Sequence, residues 1–132
     1  MRRVLLLVAV FFLVAFTAKA QDPVKVDPKH HKVEFENAQV RVLRITIGPH
    51  EKTAAHEHPA WVAVFLTDLD VKVTFPDGKT EERHAKAGEA EWHAGEKHTV
   101  ENISNKPLEV IMVELKGKGA AAKAPAAKKK SQ

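Results

Sequence analysis

His56-Glu57-His58 sets two imidazoles two residues apart. Side chains alternate along an extended segment, so both rings point to one face and Glu57 to the other. Neutral imidazole is the commonest protein ligand for transition metals. A third histidine, His98, follows about forty residues later, beyond the reach of any single turn or helix. If the fold brings His98 alongside, the three make a facial nitrogen set with coordination positions left open. That set suits one divalent metal. Its affinity should weaken below about pH 6, because protonated imidazole does not ligate and its reference pKa is ~6.5.

Short strands at regular spacing must position these groups. Val33 to Glu36 alternates apolar and charged, and Asn37-Ala38 signals a turn. Val40 to Ile47 is rich in β-branched residues, and its apolar parity changes midway, which predicts a bulge or burial on both faces. Trp61 to Leu66 is apolar on both faces, as a central strand should be. Val71, Val73 and Phe75 alternate with polar residues, and Pro76-Asp77-Gly78 turns the chain into a polar edge strand, Thr80 to Lys86. Glu89 to His93, His98 to Ile103 and Leu108 to Leu115 complete the set. Helical periodicity is absent outside the first twenty residues, so the reading is an all-β sandwich or barrel. Such a fold takes a ligand in its mouth.

At this point the residues resemble the two motifs of the cupin superfamily. His56-x-His58 matches the core of the first motif, and Gly95-x2-His98-x3-Asn102 matches the end of the second. The resemblance spans Val33 to Leu115 and implies a single-domain cupin, a double-stranded β-helix or jelly-roll barrel. It carries over His56, His58 and His98 as ligands of one divalent ion: Fe, Mn or Zn. The chain departs from the pattern in three places. His50 stands where the first motif begins with Gly, Val62 or Ala63 where a glutamate ligand is expected, and His93 where the second motif has Pro. Three-histidine cupins occur in the superfamily, notably the thiol dioxygenases, so a metal site survives the missing carboxylate. Two functions follow: a metal-dependent, dioxygenase-like enzyme acting on a small molecule, or a non-catalytic module binding a small molecule or metal. His93, Trp61 and Asn102 are candidate pocket residues, with Asn102 more naturally a hydrogen-bonding turn residue. His30, His31 and His84 lie on polar stretches without a partner, and His50 reads as solvated.

Composition supplies the setting. The 132 residues include no cysteine, which excludes disulfides and thiolate metal sites. The formal charge of +4 belongs to the ends, because residues 21–115 carry twelve Lys and Arg against all seventeen Asp and Glu. An acidic folded part gives no nucleic-acid-binding surface. Met1 to Ala20 reads as a signal peptide: Arg2-Arg3, an apolar run from Val4 to Phe16, and Ala18-Lys19-Ala20 as the cleavage site. The expected locations are periplasmic or secreted. Residues 21–32 read as an extended lead-in, 33–115 as the barrel, and 116–132 as a disordered Lys/Ala-rich tail able to touch an anionic surface weakly. A homodimer is left open as an assembly.

Overall fold

The computed structural model describes residues 21–124. The expected signal peptide and the tail beyond residue 124 lie outside the described residues.

Alternation of apolar and polar residues yields nine strands: β1 His31–Glu36, β2 Val40–Ile47, β3 His56–His58, β4 Trp61–Phe65, β5 Leu69–Thr74, β6 Thr80–Ala85, β7 Ala90–His93, β8 Glu96–Asn102 and β9 Leu108–Leu115. They form two antiparallel sheets, β1-β2-β9-β4-β7 and β3-β8-β5-β6. The core lies between the sheets. It is filled by Leu43, Ile45 and Ile47 from β2, Trp61, Ala63 and Phe65 from β4, Val71 and Val73 from β5, and Leu108, Val110 and Met112 from β9. Burying each large apolar side chain contributes about 1.5–3 kcal/mol. The polar strand β6 is the edge of its sheet, as its composition predicts, and its charged side chains discourage pairing with another chain.

Of the two readings of β2, burial on both faces holds, whereas the lead-in and the start of the tail are corrected. The parity change in β2 is no bulge, because β2 pairs with β9 without interruption from Val40 to Ile47. The register shift falls on β1, between Val33 and Phe35, and Val40 and Val42 are half-buried on the second face. The lead-in is not extended: Pro23–Val26 forms a helical turn, α1. Asp22 caps it by accepting the Val24 N–H at 2.9 Å, and Pro23 occupies the first turn, where its missing N–H costs nothing. β1 then begins at His31 rather than Val33. Order also runs past Lys116. Gly117 adopts φ 58°, which turns the chain into a 3-10 turn over Gly117–Ala121, and the Ala120 carbonyl accepts the Ala60 N–H at 2.8 Å.

Candidate metal centre

β3 pairs antiparallel with β8, and the register makes His56 and His98 direct cross-strand partners. Such partners stand ~5 Å apart. The ring centroids of His56 and His98 lie 4.8 Å apart; His58 lies 4.7 Å from His56 and 5.4 Å from His98. All three are buried. The histidines singled out from sequence therefore converge, and Glu57 faces outward as alternation requires.

A fourth imidazole joins them. His31 enters from β1, on the opposite sheet, and its ring centroid lies 4.6 Å from that of His56. The ligating nitrogens of His31, His56 and His58 all lie within 4.8 Å of one another. Nothing in the sequence assigns His31 a role. Its approach depends on β1 pairing with β2 across from β3, and no local pattern announces that. His30, its neighbour, is committed elsewhere: Nδ1 meets Asp27 at 2.8 Å and Nε2 meets Glu51 at 2.9 Å.

The hydrogen bonds fix which nitrogen of each ring is free. His56 Nδ1 donates to the Ala54 carbonyl at 2.7 Å, and His31 Nδ1 to the Asp27 carbonyl at 3.1 Å. His58 Nδ1 donates to Glu114 Oε1 at 2.6 Å, and His98 Nδ1 to Glu96 Oε1 at 2.6 Å. A carbonyl or carboxylate oxygen accepts only, so each Nδ1 carries a proton, and a ring that is neutral then presents its Nε2 lone pair. His98 Nε2 and His56 Nε2 face each other at 3.1 Å, and His58 Nε2 is buried with no hydrogen-bond partner. Converging unprotonated nitrogens repel one another and are desolvated, an arrangement that a bound cation relieves.

Burial keeps His31, His56 and His58 neutral. Burial, with the neighbouring His58 acting in the same direction, pushes His56 down to about 3. Burial lowers His31 to about 4 against the Asp27 carbonyl, which favours the charged ring. Burial also lowers His58, outweighing Glu114. Burial alone would raise the two supporting carboxylates, but hydrogen bonds outweigh it. His98 and Arg83 hold Glu96 at about 2, and His58 with Arg41 holds Glu114 below the ordinary range. The His58–Glu114 pair is thus a neutral imidazole on an ionised carboxylate, and an arginine anchors each of the two carboxylates. Arg41 Nε meets Glu114 Oε2 at 2.7 Å, and Arg83 Nη1 meets Glu96 Oε1 at 2.7 Å.

A cavity of about 80 Å³ adjoins the imidazoles, walled mostly by the apolar core. Ala63 lines it at the place of the resembled motif's glutamate, so that position offers no carboxylate. Trp61 and His93 also line it, with their rings stacked at 4.8 Å and 12°. Asn102 does not. It is fully buried, donates to the carbonyls of Ile47, Gly48 and Lys106, and accepts from Ser104, so it ties the loops together outside the cavity. His84 is exposed on β6 and pairs with Asp70, and His50 is exposed beside Asn105. Gly95 has a steric reason: a Cβ there would stand 3.0 Å from the His58 carbonyl oxygen. Glu114 escaped the sequence reading although it had a signal, since it continues the inward parity of Leu108, Val110 and Met112.

No family model and no curated protein matches the chain. Solved structures do. A cupin domain from Bordetella pertussis Tohama I superposes with a TM-score of 0.61 at 24% identity, covering 66% of this chain and 92% of that one. A double-stranded β-helix protein from Klebsiella pneumoniae subsp. pneumoniae MGH 78578 gives 0.53 at 18% identity, covering 67% and 77%. A cupin superfamily protein from Desulfitobacterium hafniense DCB-2 gives 0.50 at 10% identity, covering 66% and 76%. Identities this low speak to fold and leave activity to the site itself. Two facing antiparallel sheets and these superpositions give one conclusion: the described residues share the double-stranded β-helix fold of small cupin domains.

Proposed function

We propose that this chain binds one divalent metal ion on the Nε2 atoms of its clustered histidines and admits a small, largely apolar molecule to the adjoining cavity. The observation that carries the reading is the set of Nε2 lone pairs facing one another, with His58 Nε2 buried and unpartnered. His56, His58 and His98 would hold the ion, with His31 beside them. Glu114 and Glu96 make two of the rings better donors by accepting their Nδ1 protons. A metal bound there supplies Lewis-acid chemistry, or dioxygen chemistry if it is iron. Elemental analysis of purified chain, with and without His98→Ala, tests the reading. About one equivalent of metal in the wild type and a large loss in the variant is expected; equal, negligible metal in both would end it.

A specific observation favours catalysis over mere binding. The polar cavity residues outside the imidazole cluster are Thr53, Arg83, Glu91 and His93. Thr53 is bonded to Val100 and Arg83 to Glu96 and Glu81, so both are held by the framework. Among the described residues, the one side-chain hydrogen bond of His93 and Glu91 is the one they share, Nε2 to Oε2 at 3.2 Å, and the His93 ring lies along the cavity wall stacked on Trp61, free of any framework role that would occupy its Nδ1. His93→Ala should keep the metal and abolish turnover of any substrate found. Metal retained with turnover unchanged would support the alternative, a non-catalytic small-molecule or metal-binding module. Export through removal of residues 1–20 is part of the same proposal and would place metal loading outside the cytoplasm. Mass spectrometry of the mature N-terminus tests it.

A further inference from the structure

Residues 21–31 touch the histidine cluster at more points than a lead-in requires. Gln21 accepts the Glu57 N–H through its carbonyl at 2.8 Å, and so pins the outward side of the His56-Glu57-His58 strand. Asp22 Oδ2 accepts from Arg41 Nη1 at 2.8 Å, and Arg41 in turn holds the Glu114 carboxylate that orients His58. Asp27 does most. It is buried, its carbonyl accepts His31 Nδ1–H, and its carboxylate meets His30 Nδ1 and accepts the Ala54 N–H at 3.0 Å. The carbonyl of that same Ala54 accepts His56 Nδ1–H. One aspartate therefore supplies the carbonyl that orients His31 and, through its carboxylate, holds the residue whose carbonyl orients His56. His30 locks the grip from behind by bridging Asp27 to Glu51.

We infer that residues 21–31 belong to the metal centre as a strap delivering His31 as a further ligand, and that Asp27 is the positioning residue that aligns His31 and His56 together. The inference rests on the metal-binding reading. It makes the donor set four imidazoles, because Ala63 supplies no carboxylate and Glu91, the carboxylate that lines the cavity, is paired with His93. A nitrogen set of this kind favours late first-row divalent ions over Mn2+.

Cu2+ is the probe, with two readouts on the purified chain: competition titration for affinity and pulsed electron paramagnetic resonance for the number of bound imidazoles. The wild type should show His31 as one imidazole more than His31→Ala retains. His31→Ala should bind at least tenfold more weakly. Asp27→Ala should lose affinity by about 10–100-fold, the usual cost of removing an outer partner of a ligand, and should show a reduced imidazole count. Asp27→Asn should fall between, because its amide oxygen still accepts from Ala54. That variant also carries the test if Asp27→Ala does not fold. Wild-type affinity and imidazole count in both His31→Ala and Asp27→Asn would overturn the strap while leaving the metal reading intact. A lowered melting temperature in Asp27→Asn with wild-type Cu2+ binding would likewise reduce Asp27 to a structural role. A wild type that binds no Cu2+ would overturn both readings.

Discussion

Glu114 Oε1 accepts a hydrogen bond from the Nδ1–H of His58 at 2.6 Å, across the gap between the two sheets. The bond sets the tautomer of His58, and Arg41 holds the carboxylate ionised from the other side. Glu114→Gln keeps the shape but removes the charge and lets the amide present an N–H to the ring. We expect metal affinity to drop about 10–100-fold, measured by competition with a chelator. Glu114→Ala strands His58 and the partly buried Arg41 and should destabilise the fold by about 3–5 kcal/mol, read from urea unfolding.

Alanine at His56, His58 or His98 should lower metal content far more than any outer-partner change. His84→Ala should leave it unchanged, because that ring is exposed on an edge strand and bonded to Asp70. Plasma mass spectrometry of the four variants decides this, and four equal contents would place any metal elsewhere.

The pH dependence follows from burial. His31 and His56 titrate at about 4 and about 3 in the fold, against 6.5 for the free ring. The unfolded chain therefore binds more protons as pH falls below 6.5. Stability is intact above that value and declines progressively toward pH 4 and pH 3. A tenfold difference in proton affinity between the folded and unfolded chain is worth about 1.4 kcal/mol, so the metal-free protein should lose on the order of several kcal/mol by pH 4. Urea midpoints at pH 7, 5.5 and 4.5 should fall in that order, and a flat series would refute the account. Burial of His31, His56 and His58 works against the expected weakening of metal affinity below about pH 6. Rings held neutral in this way resist protonation to lower pH, so metal should persist below pH 6 in equilibrium dialysis.

Ending the chain at Lys116 removes the Ala120 carbonyl and leaves the fully buried Ala60 without its acceptor. An orphaned buried N–H costs about 1–3 kcal/mol, which is a fall of at least about 4 °C in melting temperature for a domain of this size. A chain ending at Lys123 should melt like the full one. Equal melting of both would show that the Gly117–Ala121 turn adds nothing.

Strand alternation made most of the barrel legible. β2 and β9 fall where the apolar pattern puts them, and the His56–His98 pairing follows from motif spacing. What escaped depended on contacts between distant parts of the chain. His31 reads as a polar residue until β1 crosses to the sheet opposite β3. His50 sits where the resembled motif has Gly, and its φ of 59° shows why glycine suits that bend: the backbone is left-handed there. The helical turn after Asp22 is only four residues long, too short to show a period.

His31 sits on the five-stranded sheet, whereas His56, His58 and His98 sit on the four-stranded one. An ion held by all of them joins both layers and closes a loop of 42 residues between His56 and His98. In a chain without cysteine this is the work of a disulfide, and loop closure on that scale is worth roughly 3–5 kcal/mol. The cross-link differs in what opens it: acid or a chelator, and not a reductant.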